Sequence, residues 1–230
     1  MEWVLLPSPL LGPAVWSPVA ERLRRRGNKV TVPAYADEQT PAEVLASLVR
    51  QLDELDEVAL VPHSNAGLYV AALAAQLSVR AVLFVDAGLP DDAGATPTAP
   101  AGFLRLLETL VDDRGLLPPW SQWWDSADVD DLFPDVPSRR AVVAEERRLP
   151  LAYFRSSVPS PPGWADLPCG YLAFGETYDG ERRAASRRGW PVATMPGGHL
   201  QTLVDADAVA ARIEDMVTAL TRPGEPQKPT

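Results

Sequence analysis

Two residue types that cooperate in nucleophilic catalysis occur at well-defined places in this chain. Ser64 stands in the sequence Val-Pro-His-Ser-Asn-Ala-Gly, after an apolar run at 58–61 and before an Ala-rich segment. His199 follows Pro-Gly-Gly and is one of 2 histidines in the sequence. A neutral imidazole can accept the proton of a serine hydroxyl during attack and return it to the leaving group. The pair therefore predicts acyl-transfer chemistry.

The surroundings of Ser64 allow two interpretations. In a nucleophile elbow, a sharp turn between a strand and a helix exposes the side chain and requires small neighbours. The helix dipole and the backbone N–H of Asn65 would then stabilise an oxyanion. In the second interpretation, Ser64 or Asn65 only caps the helix that follows.

A carboxylate is needed to orient the imidazole and to stabilise its cation. Asp86 ends the apolar run 82–85, whereas Glu176 and Asp179 follow the apolar run 169–174. We rank Asp86 first, because a carboxylate at the end of an apolar strand is costly to bury unless another group pairs with it. Asp179 comes second and Glu176 third, with no large gap, and Asp179 could instead cap the following helix.

Short Val-, Leu- and Ala-rich runs alternate with helical patterns along most of the chain. The expected strands lie at 4–6, 29–32, 58–61, 80–85, 169–174 and about 191–195, and the expected helices at 14–26, 41–52, 65–77, about 180–188 and 205–220. The apolar runs do not alternate in polarity, as is typical of parallel strands buried on both faces. The pattern predicts an α/β fold, a mainly parallel sheet of about six strands with helices on both faces.

Residues 91–167 interrupt this alternation. They contain many prolines, three or four short helical patterns and no convincing buried strand. An insertion after the fourth strand would cover the carboxyl edge of the sheet, where such sheets bind ligands. We therefore expect a core of 1–90 and 168–221, a helical lid at 91–167, and a disordered Pro-rich tail at 222–230.

Aromatic side chains in the expected lid suggest a substrate pocket. Trp120, Trp123 and Trp124 would line a pocket above the sheet, or would hold the small core of the lid itself, and both interpretations stay open for each residue. We also expect Leu11 and Leu200, which neighbour the predicted catalytic loops, to line the substrate pocket.

The chain order serine, acid, histidine, with the histidine on the loop after the last strand, resembles the α/β-hydrolase superfamily. The similarity covers roughly residues 1–221 and extends to small bacterial esterase and thioesterase-like members with a helical lid. The resemblance implies the α/β-hydrolase fold. It also implies a Ser-His-Asp serine hydrolase acting on a small, largely apolar ester, thioester or lactone.

Two prolines depart from the pattern of this family. Pro62 replaces the usual glycine two residues before the nucleophile, and Pro9 occupies the position of the second oxyanion donor although it has no N–H. Ser8 and Leu10, together with Asn65, are then the candidate oxyanion donors. The departures favour an alternative to hydrolysis, a non-hydrolytic lyase, cyclase or isomerase of a biosynthetic pathway. A catalytically inactive module that keeps the lidded pocket for a small ligand ranks third, because the expected triad is intact.

Composition limits the partners that we expect. The chain has 230 residues, 46% of them hydrophobic, and a formal net charge of -10, which argues against nucleic acid and anionic membranes. No cofactor motif occurs, and 2 histidines make a His-rich zinc site improbable. The start of the sequence has no basic segment followed by a long apolar one. We therefore expect a cytoplasmic monomer or homodimer that takes a small-molecule acyl substrate, without metal or cofactor.

Overall fold

The protein is built on a six-stranded parallel sheet. The computed structural model describes residues 1–222 of the chain, so the predicted tail lies outside the described residues except for its first residue. The strands are β1 (Glu2–Leu6), β2 (Val30–Thr31), β3 (Val58–Ser64), β4 (Val79–Ala87), β5 (Gly94–Pro97), β6 (Ser157–Ser160), β7 (Cys169–Phe174) and β8 (Val192–Met195). The strands of the sheet follow the order β2-β1-β3-β4-β7-β8. The strands β5 and β6 form a separate antiparallel pair.

Helices cover the sheet and fill the insertion between β4 and β7. The α-helices are α1 (Ser17–Arg25), α2 (Pro41–Leu52), α3 (Val70–Ala74), α4 (Ala101–Leu110), α5 (Ser126–Asp130), α6 (Val136–Glu145), α7 (Leu151–Phe154), α8 (Asp179–Arg187), α9 (Gln201–Val204) and α10 (Ala206–Thr221). Short 3-10 helices span Pro13–Val15, Asn65–Tyr69, Trp120–Gln122 and Trp164–Asp166. Within residues 1–222, no helix has the length and apolar character needed to cross a membrane.

The chain reverses its direction across the sheet after β2. It runs from β1 outward to β2 and then returns past β1 to β3. Right-handed crossovers therefore place α1 on one face and α2, α3 and α8 on the other. The last helix, α10, packs against α1 and covers β4 and β7. The predicted parallel sheet with helices on both faces is confirmed.

The apolar runs explain which strands form the centre. Every residue of β3 and β7 is buried, and β4 is buried except for Arg80. Burial on both faces removes any reason for polarity to alternate along these strands.

Two differences between the structure and the predicted elements concern the turn after β3 and the insertion. The segment predicted as one helix at 65–77 begins as a 3-10 helix and becomes α-helical only in the short α3, because the chain must turn tightly beside the end of β4. The insertion, which was expected to be helical, also contains the antiparallel pair of β5 and β6, whose residues are only partly buried. These two strands are four residues each, contain proline, and pair across about 60 residues of sequence, so no local pattern reveals them.

A glycine determines how closely the turn after β3 approaches β4. A Cβ atom on Gly67 would overlap the carbonyl oxygen of Gly88 and come within 3.2 Å of the Cβ of Ala87. The carbonyl of Gly88 belongs to the backbone, so it cannot rotate away as a side chain could. The ends of β3 and β4 can therefore lie side by side only while residue 67 has no side chain.

We predict that Gly67→Ala destabilises the protein by about 1–3 kcal/mol through this overpacking, measured as the free energy of unfolding in urea. Gly180→Ala is the matched control, because a Cβ atom on Gly180 meets nothing within 4 Å and the residue lies in α8. The control is expected to be neutral or to stabilise by about 0.4–1 kcal/mol. Equal effects of the two substitutions would contradict the close approach.

Candidate active site

Ser64 ends β3 in a strained backbone conformation. Its φ is 58° and its ψ is -136°. Among the non-glycine residues of the described chain, 1–222, only Ser64 and Asp86 have positive φ. Such conformations cost about 1–3 kcal/mol each and persist where the surroundings enforce them, often at functional sites. The Ser64 side chain borders a cavity of about 660 Å³.

Asp86 lies on the neighbouring strand, where the pairing of β3 with β4 shifts by one residue. Ser64 pairs with Ala87 rather than with Asp86, which is left as the extra residue with φ 43°. An extra residue of this kind turns its side chain out of the regular alternation. The hydroxyl of Tyr171 holds the distortion, since it accepts a hydrogen bond from the Ala87 N–H (3.0 Å) and donates one to the Ala87 carbonyl (2.7 Å).

The two carboxylate oxygens of Asp86 have separate partners. Oδ1 accepts a hydrogen bond from the backbone N–H of Phe174 (3.0 Å), and Oδ2 lies 2.6 Å from Nδ1 of His199. Asp86 is 0% exposed and His199 7% exposed. A buried carboxylate is costly unless it is paired and hydrogen-bonded. Because Asp86 accepts the proton on Nδ1, Nε2 of His199 is left as the nitrogen that can accept a proton.

The loop at 196–200, between β8 and α9, carries His199. Gly197 has φ 133°, and a side chain there would overlap Gln201. Below the loop, His63 donates its Nε2–H to the carbonyl oxygen of His199 (2.9 Å), and the two rings stack with centroids 4.5 Å apart. Burial, followed by repulsion from His199, lowers the pKa of His63 well below its ordinary value. His63 is therefore a neutral support for the loop.

Among the described residues, neither of the other two carboxylates considered for the triad forms a hydrogen bond or ion pair with His199. Asp179 forms ion pairs with Arg182 and, at 2.8 Å, with Arg183 at the start of α8. Hydrogen bonding to Arg182 lowers the pKa of Asp179, as expected of a carboxylate that neutralises nearby arginines. Glu176 is exposed on the preceding loop. Of the three ranked candidates, the structure brings Asp86 to the imidazole.

Hydrogen bonds link the three candidate oxyanion donors in a row. The N–H of Leu10 donates to Oγ of Ser8 (3.2 Å), and the Ser8 hydroxyl donates to Oδ1 of Asn65 (3.0 Å). Leu10 and Asn65 border the cavity, whereas Ser8 is buried behind them. Because Pro9 has no N–H, the candidate backbone donor on the loop after β1 is the N–H of Leu10, which already donates to Ser8.

The three predicted pocket tryptophans border the cavity. Trp120 and Trp123 are buried, and Trp124 lies at the rim with 40% of its surface exposed. Their rings also contact one another, at 5.1 Å between Trp120 and Trp124 and 5.8 Å between Trp123 and Trp124. The two interpretations of these residues are therefore compatible, because the same side chains form a cluster of the insertion and a wall of the cavity.

Leu11 and Leu200 do not border the cavity, and their expected placement is wrong. Both are buried in the hydrophobic core, at 1% and 0% exposure. The hydrogen bond from the Leu11 N–H to the Ser8 carbonyl (3.0 Å) closes a turn, and the leucine side chain packs into the core. Residues next to a site in sequence need not face it.

Sequence reasoning missed Tyr178. Its hydroxyl lies 3.3 Å from Oγ of Ser64, and its ring centroid lies 5.6 Å from that of His199. No hydrogen bond between Ser64 Oγ and the His199 ring occurs among the described residues. The signal was present, since Tyr178 carries a hydroxyl on the loop that follows the predicted strand 169–174, next to the candidate carboxylate Asp179.

Acidic residues border the cavity. They are Asp91, Asp128 and Glu181, and no lysine or arginine of the described residues lines it. Burial raises the pKa of Glu181, with a smaller contribution from Asp86. Within residues 1–222, no group of three or more His, Cys, Asp or Glu side chains is placed to hold a metal ion.

Comparison with known proteins identifies the fold of the chain and finds no relative of high sequence identity. No family model and no curated protein matches the sequence. Many solved structures resemble the chain, and three of them illustrate a likeness over nearly its whole length at low identity. An extracellular α/β-hydrolase from a Paenibacillus species, described as sharing structural and functional homology with tobacco salicylic acid binding protein 2, is 18% identical, with 97% of this chain and 100% of that chain covered and a TM-score of 0.73.

The names of the other two proteins describe different activities. The pyrethroid hydrolase PytH is 18% identical, with 97% of this chain and 99% of that chain covered and a TM-score of 0.68. A variant of tomato methylketone synthase I, complexed with β-ketoheptanoate, is 13% identical, with 95% and 98% covered and a TM-score of 0.61. Together with the order of the six parallel strands, this likeness shows that the chain has the α/β-hydrolase fold.

Proposed function

We propose that the protein is a serine hydrolase that cleaves small, largely apolar esters, thioesters or lactones with Ser64, His199 and Asp86. One observation carries the proposal: the buried contact of 2.6 Å between Asp86 and His199, at the floor of a cavity that both His199 and the strained Ser64 border. Hydrolases among the solved structures of this fold support the same class of reaction.

In this mechanism each of the three residues has one task. Ser64 Oγ attacks the acyl carbon while Nε2 of His199 takes the hydroxyl proton and then transfers it to the leaving oxygen or sulfur. Asp86 keeps Nδ1 protonated and stabilises the imidazolium. Water then attacks the acyl-Ser64 ester with His199 as base, which releases the acid. Ser64 Oγ must come closer to Nε2 of His199 than it lies in this structure, and such contacts commonly tighten only when substrate is bound.

The oxyanion donors point to modest rates. The N–H of Asn65 is one donor, and we propose that the N–H of Leu10 becomes the second only when it leaves Oγ of Ser8. Losing one donor typically costs about 100- to 1000-fold in rate. The same feature favours the second candidate function, a non-hydrolytic enzyme in which His199 moves protons and Ser64 only orients the substrate.

The size and lining of the cavity define the substrate class. About 660 Å³ accommodates a small molecule. The tryptophan wall supplies apolar surface, and the carboxylates oppose an acyl group that carries its own negative charge. We infer a preference for neutral, largely apolar acyl groups.

The first prediction concerns the triad. Ser64→Ala is expected to abolish hydrolysis of p-nitrophenyl butyrate, and Asp86→Asn to lower kcat by about 10³- to 10⁴-fold, because the amide cannot accept the Nδ1 proton in the same way. Asp179→Asn serves as the matched control and is expected to keep kcat within about twofold. Steady-state kinetics on folded variants measure all three. Full turnover by Ser64→Ala would favour the non-hydrolytic candidate, and a large loss in Asp179→Asn would contradict the choice of acid.

The second prediction concerns substrate charge. At neutral pH, kcat/KM for p-nitrophenyl butyrate is expected to exceed that for the p-nitrophenyl monoester of succinate by about 10-fold or more, because like charges a few ångströms apart repel by about 1–2 kcal/mol. The ratio should rise with pH, since Glu181 ionises only above its raised pKa. Glu181→Gln should reduce the ratio and flatten its pH dependence. Glu176→Gln, outside the cavity, should change neither, and an equal preference for both esters would refute the inference.

A further inference from the structure

Tyr178 is placed to act on the same oxygen as His199. It lies on the loop between β7 and α8, immediately before α8, and borders the cavity. Its hydroxyl is the hydrogen-bond partner of Ser64 Oγ, at 3.3 Å. Gly88 lies against the edge of its ring, since a Cβ atom there would come within 4.0 Å of Cε1. The ring is thus held between the turn after β4 and His199.

The chemistry of the two hydroxyls determines the direction of the hydrogen bond. Burial raises the pKa of Tyr178 above its ordinary value, so the phenol keeps its proton. Ser64 must direct its own proton to Nε2 of His199 when it attacks. The arrangement that satisfies both requirements has Tyr178 donating to a lone pair of Ser64 Oγ.

We propose that Tyr178 is a catalytic residue that donates a hydrogen bond to Ser64 Oγ and accelerates the release of that oxygen in deacylation. The proposal rests on the serine-hydrolase function proposed above. In deacylation, water attacks the acyl carbon and gives a proton to Nε2 of His199. The bond between the acyl carbon and Oγ then breaks, the electron pair stays on Oγ, and His199 returns the proton to it. Tyr178 keeps its own proton throughout.

The two half-reactions depend on this hydrogen bond to different degrees. A donor on Oγ withdraws electron density, which does not help Oγ to attack. The same donor stabilises the negative charge that develops when Oγ is the leaving group, and hydrogen bonds to charged groups are the stronger ones. Loss of the hydroxyl should therefore slow deacylation and leave acylation nearly unchanged.

The test compares Tyr178→Phe with the wild-type protein in rapid mixing with p-nitrophenyl butyrate. Phenylalanine keeps the ring between Gly88 and His199, so folding should be preserved. We expect a burst of p-nitrophenol close to one equivalent, followed by a steady rate about 10- to 100-fold below wild type. Intact mass should detect the accumulated acyl-enzyme. Tyr153→Phe is the matched control, because it removes a buried tyrosine hydroxyl that bonds to Tyr69 (2.6 Å) away from Ser64.

Each outcome separates this proposal from the function on which it depends. Deacylation at the wild-type rate in Tyr178→Phe, with acyl-Ser64 formed by both proteins, would overturn the role of Tyr178 and leave the hydrolase function intact. Equal slowing of burst and steady rate would also overturn it, because the hydroxyl would then only position Ser64. If the wild-type protein forms no acyl-enzyme and releases no p-nitrophenol above the Ser64→Ala background, both proposals fail.

Discussion

The buried carboxylate of Asp86 is the constraint on which the rest of the site depends. A charge with no solvent exposure must be balanced, and Asp86 is balanced by a backbone N–H of β7 and by the imidazole after β8. Three sheet elements that are distant in sequence therefore meet at one side chain. The orientation of His199 follows from this contact, because the proton on Nδ1 has an acceptor and Nε2 is left to take another.

Backbone strain at the ends of β3 and β4 contributes to the same arrangement of Ser64, Asp86 and His199. Ser64 and Asp86 both take conformations that cost free energy, and both are held by tight packing of neighbouring backbone. Gly67 allows the turn after β3 to touch Gly88, and the Tyr171 hydroxyl clamps Ala87. These strained conformations place Ser64 and Asp86 side by side at the carboxyl edge of the sheet.

Much of this site could be predicted from the sequence because it follows from chain order. Ser64 and His199 stand on turns that follow apolar runs, and Asp86 is conspicuous as a carboxylate at the end of such a run. What escaped prediction depends on contacts between distant segments. The strands β5 and β6 pair although they lie about 60 positions apart. Ser8 forms hydrogen bonds with both Leu10 and Asn65. Tyr178 contacts Ser64, which lies 114 residues away in sequence. The predicted placement of Leu11 and Leu200 in the pocket was wrong for the converse reason, since closeness in sequence does not fix the direction of a side chain.

The central claim is that Asp86 and His199 activate Ser64 in an open cavity, and intact mass after treatment with a fluorophosphonate probe tests it most directly. The account predicts a single adduct on the wild-type protein, mapped to Ser64 and absent from Ser64→Ala. Asp86→Asn should react far more slowly, while Asp179→Asn reacts like the wild type. A folded wild-type protein that acquires no adduct, or one that is labelled equally fast without the Asp86 carboxylate, would contradict the account.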